Sequence, residues 1–184
     1  EDELFTFYRA DGGRDTLSTG KAPYPFRFQG IDDTSLKVKK RIFEYRLKYN
    51  GHNDQFVVCY CLNNLFEIYN SDGSLHKRII APYPYLVDTN HLSADKLGVP
   101  IAELIFTFKD CCLTDDRIFL LYNGSSPTGM IGAQSKIYVF DYEGNPIKYY
   151  LLDRYAHSFC IDKQGGVIYA LSDENDQKQV VRYS

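Results

Sequence analysis

An all-β chain of short antiparallel strands is what this sequence predicts, and three observations carry the prediction. The 184 residues include 16 Tyr and 12 Phe but no Trp and a single Met, and aromatic side chains cover a pleated surface well. Thirteen Gly and seven Pro are scattered along the chain and supply turns throughout. The third observation is a repeated unit: a short strand ending in an aromatic residue, an acidic-Gly turn, and a second strand.

The unit opens the chain as Leu4-Phe-Thr-Phe-Tyr8 followed by Asp11-Gly12. It returns as Leu65-Phe-Glu-Ile-Tyr69 running through Asp72-Gly73 to Lys77, and as Lys136-Ile-Tyr-Val-Phe140 running through Glu143-Gly144 to Lys148. An acidic residue tolerates the turn conformation, and Gly supplies positive φ without a Cβ clash. A second echo supports the first: Ala22-Pro-Tyr-Pro-Phe26 recurs as Ala81-Pro-Tyr-Pro-Tyr85. Between these marks, Phe56–Cys61 and Leu65–Tyr69 read as strands joined through Asn63-Asn64. Asp110–Asp116 leads into Ile118–Tyr122, and Ser158–Asp162 leads through Lys163–Gly166 into Val167–Leu171 and then Val180–Tyr183. Each run is short and ends in a turn signal. Only Ser93–Gly98 has a cap, an acidic first turn and a terminating Gly, enough for a turn or two of helix.

Taking the strand-end aromatics at 8, 69, 140 and 183 as register marks, the shortest interval, 43 residues, matches one four-stranded propeller blade of about 40–50 residues. The longer intervals exceed it by insertions, chiefly Gly20–Arg41, Ala81–Glu103 and Asn123–Gln134. The expected fold is therefore a β-propeller of four-stranded antiparallel blades. About three blades lie in this chain, roughly 4–80, 81–152 and 153–184, permuted at the ends.

Charge and cysteine usage narrow the function classes. A formal net charge of −3, from 21 Lys+Arg against 24 Asp+Glu, lacks the basic excess that phosphate-backbone binding needs, so nucleic acid is not an expected partner. No window approaches the ~18 apolar residues of a membrane span. The chain opens Glu1-Asp2-Glu3-Leu4 with no charged-then-apolar leader in view. Five cysteines, at 59, 61, 111, 112 and 160, cannot all pair within one chain. They sit in apolar runs without zinc-type spacing, and read as small buried hydrophobes. The four histidines, at 52, 76, 91 and 157, show no metal spacing either. No metal and no cofactor is expected.

The pattern resembles known families. Asp162-x-x-Gly165-Gly-Val-Ile-Tyr-Ala170, a polar gap and Val180-Val-Arg-Tyr183 is similar to one NHL-type blade. Tyr8-x-x-Asp11-Gly12 together with Gly20-Lys-Ala-Pro-Tyr-Pro-Phe26 resembles the TolB-like six-bladed propellers of envelope lipoproteins in anaerobic Gram-negative bacteria. Ala22 and Tyr24 stand where that group usually has glycines, and Pro25 where it has Glu. The resemblance implies half of a six-bladed ring, export to the periplasm or outer membrane, and lipid anchoring upstream of Glu1. It carries over no catalytic residue. Closed propellers need four to eight blades, so three imply either a homodimer or further blades completing the ring.

In such a ring, connections alternate between two faces. The tight turns Ser71–Ser74, Asp115–Asp116, Glu143–Asn145 and Lys163–Gly166 are expected on one face. The insertions, with Ser172–Lys178, are expected on the other, and long loops on a rigid scaffold are where binding concentrates. Tyr24, Phe26, Tyr83 and Tyr85 are candidates for an aromatic rim that stacks on a sugar or peptide; the plainer reading buries them against the next blade. Arg154 and His157 flank the start of an inner strand, with Lys109-Asp110 in the comparable place one blade earlier. Such an axis holds an anion, a metal or ordered water, with water and mutual pairing the favoured reading. Asp32-Asp33 and Asp173-Glu174 are nominal acid/base pairs in polar loops, and Lys37–Arg41 is a short basic run. No Gly-x-Ser-x-Gly, phosphate loop or His-Glu-x-x-His occurs, and no catalytic residue is assigned.

The expected function is a non-catalytic binding or scaffold module of the bacterial envelope that takes a protein or glycan on the long-loop face. The alternative is a propeller-type saccharide lyase or hydrolase working at the axis through Arg154 and His157. In either case the membrane is met only through a lipid anchor.

Overall fold

A computed structural model describes residues 3–10, 16–23, 25, 40, 42–80, 105–126, 134–162, 164, 166–174 and 177–184. The 93–98 helix, the Asp11-Gly12 turn, Asp32-Asp33 and most of the 37–41 basic run lie outside these residues. Strands β1 (Glu3–Ala10) and β2 (Thr16–Pro23) form an antiparallel pair. Strands β3 (Tyr45–Asn50), β4 (Gln55–Tyr60), β5 (Leu65–Asn70) and β6 (Leu75–Ile80) make one sheet in sequential order. A second sheet follows the same order with β7 (Phe106–Leu113), β8 (Ile118–Ser125), β9 (Lys136–Phe140) and β10 (Pro146–Leu151). A third holds β11 (Ala156–Ile161), β12 (Ile168–Glu174) and β13 (Gln177–Tyr183). Among the described residues no helix is long and apolar enough to cross a membrane.

The sheets stack face to face, and the period-2 alternation of each middle strand decides which neighbour a side chain meets. From β4 and β5, Val57, Cys59, Phe66 and Ile68 pack against Phe108, Cys111, Ile118, Leu120 and Phe140 of the second sheet. The intervening residues Val58, Tyr60, Leu65 and Tyr69 turn the other way, onto Ile42, Phe43 and Leu4 of β1. The second sheet repeats the scheme, sending Phe119, Leu121, Ile137 and Val139 to meet Ala156, Phe159, Ile168 and Ala170 of the third. Strand β7 lies beside β3 on one side and β11 on the other, so the first strands of successive sheets are neighbours. Consecutive antiparallel meanders, packed broadside with their first strands adjoining, have the arrangement of propeller blades.

The acidic-Gly turns form as expected. Gly73 and Gly144 hold φ of 84° and 79°, and a Cβ on Gly144 would also lie 2.7 Å from Ile79 Cγ1. Both loops close through equivalent backbone bonds: Asn70 N–H to Ser74 O and Gly73 N–H to Asn70 O in one, Asp141 N–H to Asn145 O and Gly144 N–H to Asp141 O in the other. The capping carboxylate is displaced between them. Asp72 Oδ1 accepts the Ser74 N–H, whereas Asp141 Oδ1 accepts those of Glu143 and Asn145.

Of the five cysteines, Cys59, Cys61 and Cys111 are buried, Cys112 is partly covered and Cys160 is exposed. Cys112 lies opposite Phe119 and Cys160 opposite Tyr169, the same place in successive sheets. The third sheet packs over Cys112, while no described element covers Cys160. Burial and neighbouring groups push the Cys61 and Cys112 thiols up to about 11 and about 12.

One charge is buried in the first sheet. Glu67 is completely inaccessible, directly opposite Arg78 in the β5–β6 ladder. Its Oε1 accepts Arg78 Nε at 2.6 Å, and its Oε2 accepts the hydroxyls of Tyr60 at 2.6 Å and Tyr69 at 2.8 Å. Burial first, and the Glu67 charge next, raise both tyrosines well above the ordinary phenol range.

Glu67→Leu is expected to lower unfolding free energy by about 3–5 kcal/mol, because it strands two buried hydroxyls and a guanidinium; urea denaturation measures it. Adding Tyr60→Phe and Tyr69→Phe recovers part of that loss. The raised tyrosines also set a pH limit. In the unfolded chain they ionise near 10.0, so their contribution is complete below that pH and fades as pH climbs past it. The double Phe variant is expected to flatten the alkaline limb of a stability–pH curve.

Candidate functional site

The inner edge of β7 and β11 carries a cluster that joins charged groups from two sheets across a shared aromatic ring. The ladder explains how. In β7, Phe108 pairs with Tyr122 and Asp110 with Leu121, leaving Lys109 without a cross-strand partner. In β11, Ala156 pairs with Ser172 and Ser158 with Leu171, leaving His157 in the same position. An unpaired bulge residue is freed from the ladder, and the bulge re-aims its side chain. Lys109 and His157 are therefore structural counterparts on adjoining strands, as their spacing suggests.

Tyr155, just before β11, stands between them. Lys109 Nζ donates to its hydroxyl at 2.8 Å. The ammonium is 5.2 Å from the ring centroid; since the hydroxyl oxygen itself stands off the ring, the two distances put the charge beyond the hydroxyl rather than over the π face. The His157 ring meets Tyr155 edge-on, with centroids 5.1 Å apart and planes at 79°. Nε2 of His157 lies 2.5 Å from Asp173 Oδ2 on β12. Asp110 is engaged elsewhere: Oδ1 accepts the Cys111 N–H at 2.9 Å, and Oδ2 accepts the Phe159 N–H across the seam at 3.4 Å.

Arg154 bonds to its sequence neighbour Asp153. Its Nε and Nη2 contact Asp153 at 3.2 and 3.1 Å, and Asp153 also accepts the Tyr183 hydroxyl at 2.6 Å. These two bonds hold the Asp153 carboxyl below its usual range. Tyr24, Phe26, Tyr83 and Tyr85 lie outside the described residues. Sequence reading missed Tyr155; its place two residues before His157 was the available signal. Among the described residues no three His, Cys, Asp or Glu side chains gather as a metal site would require.

Comparison with known proteins bears on the fold. The pattern of the TolB-like 6-blade propeller-like family matches residues 10–164. The chain belongs to this TolB-like family. No curated protein matches the sequence. Among solved structures, a candidate 6-phosphogluconolactonase from Bacteroides fragilis is similar at 12% identity with a TM-score of 0.42, over 77% of this chain and 38% of that one. This chain thus spans well under half of that structure, and a likeness of that strength gives no argument about activity. Within the TolB-like plan of six blades, β3, β7 and β11 are the inner strands, and the Lys109–Tyr155–His157 group lies on the edge that faces the ring axis.

Asp110→Ala is expected to cost about 1–3 kcal/mol, since a carboxylate bond to the Phe159 N–H crosses the seam between sheets. Urea unfolding reads the loss, and Asp116→Ala in the exposed turn is the control expected to stay within ~0.5 kcal/mol.

Proposed function

We propose that this chain is a non-catalytic binding module of the bacterial cell envelope that takes a protein or glycan at the end of the propeller where its long connections meet. One observation carries the reading: the faces between sheets are packed and the short turns at one end are bonded to one another. Strands β4, β5, β8 and β9 bury both faces against neighbouring sheets. At the tight-turn end, Asn50 Nδ2 donates to Thr114 O at 3.0 Å, and Tyr142 donates to the same carbonyl at 3.1 Å. His76 also pairs there with Glu143 across two sheets at 3.7 Å. Strand alternation puts the starts of β3, β7 and β9 and the ends of β6 and β8, which border segments 24–44, 81–105 and 126–135, at the opposite end. Tyr24, Phe26, Tyr83 and Tyr85 belong to the first two of these segments, and the family resemblance favours a periplasmic or outer-membrane setting.

The saccharide lyase or hydrolase alternative has less support, because Arg154 is turned onto Asp153 and His157 onto Asp173. Ring completion forms part of the proposal. On the third sheet Val180 lies opposite Leu171 as Ile137 lies opposite Leu121 in the second. Ile137 is fully buried by the next sheet, while Val180 is 69% exposed, so this face suits a further blade or a second copy.

Tyr83→Ala and Tyr85→Ala are expected to reduce capture of envelope glycan fragments or cross-linked envelope proteins by about tenfold, the scale of losing an aromatic anchor, with the thermal unfolding midpoint unchanged. Undiminished capture by both variants rejects the reading.

A further inference from the structure

We propose that Lys109 anchors a binding site for an oxyanion, a carboxylate or phosphate carried by a small soluble ligand, at the axis-side edge where β7 meets β11. The site lies where the β10–β11 connection enters β11, beside the long-loop end, and rests on the fold alone.

The first argument is electrostatic. Lys109 is partly buried, and its described contact is with a neutral phenol, not a carboxylate. On these elements Asp110 is bonded to backbone N–H groups and Asp173 to His157. Among the described residues no carboxylate bonds to this ammonium, and an anionic ligand would give it a direct charge-assisted partner. Arg46 and Lys48 on β3, the inner strand of the preceding sheet, are exposed and add positive field, Arg46 contacting Glu44 at 3.4 Å.

The second argument is directional. Tyr155 accepts from Lys109, which leaves its own hydroxyl proton to donate outward. The ammonium keeps two further N–H donors after its bond to Tyr155. Donors from two residues held 2.8 Å apart converge on one acceptor, which is the requirement for charge-assisted recognition of an oxyanion. Tyr155 is kept in place by the edge of His157, itself fixed by Asp173. The bulges at Lys109 and His157 provide both positions without breaking the sheets.

The test is calorimetric titration of the 184-residue chain at low ionic strength with D-glucuronate, inorganic phosphate and, as the neutral control, D-glucose. Saturable binding of at least one anion and none of glucose is expected; glucuronate alone marks a carboxylate ligand, phosphate alone a phosphate ligand. Lys109→Met is expected to weaken binding by about tenfold or more, and Tyr155→Phe by several-fold, as the loss of a charged or neutral donor predicts. Lys148→Met on the outer strand β10 leaves it unchanged. Should Lys109→Met fail to fold, Tyr155→Phe decides the matter. No saturable anion binding, equal binding of glucose, or undiminished binding in the folded variants overturns the proposal. Such failure leaves the long-loop reading intact, because Tyr83 and Tyr85 report on that one.

Discussion

Burial of the middle strands on both faces is the constraint from which the rest of this molecule follows. A sheet that meets solvent on one side can alternate apolar and polar residues; one sandwiched between two others cannot. Strands β4, β5, β8 and β9 answer with near-continuous apolar runs, and each residue is allotted to one neighbour or the other by its place in the pleat. Polar chemistry is thereby driven to the strand ends, the turns and the inner edge. The exception is Glu67, kept inside by three partners drawn from β4, β5 and β6. Replacing such a network with apolar groups is often nearly neutral, whereas breaking it is not. Its effect is to bind three consecutive strands into one unit.

Much of this was legible in the amino-acid sequence because it depends on local chemistry. The Asp72-Gly73 and Glu143-Gly144 turns need positive φ, and glycine meets that need wherever it is placed. The strands around them follow from short aromatic and β-branched runs bounded by turn residues. Glu67 was not legible: Leu65-Phe-Glu-Ile-Tyr69 reads as a strand with one solvated polar residue. Only the stacking of a neighbouring sheet, with Arg78 opposite, turns that position inward. Cys160 misled in the opposite sense, since its apolar run suggests burial while the face it occupies is open.

The candidate site was half legible. Spacing alone put Lys109-Asp110 and His157 at comparable places, and the ladders agree. That the first and last of these are unpaired bulge residues cannot be read from sequence, because a bulge is defined by what the partner strand does. Arg154 looked equivalent to His157 by proximity along the chain, yet the crossover before β11 sends it to Asp153. Tyr155, which holds the two basic groups together, carried no motif to mark it.

The unpaired slot that recurs on β7 and β11 has a structural corollary. A residue with no cross-strand neighbour can be exchanged without breaking a ladder pair, so the inner edge can carry a different side chain from one blade to the next. A lysine in one copy and a histidine in the next are two occupants of one modular position, carried by the same architecture.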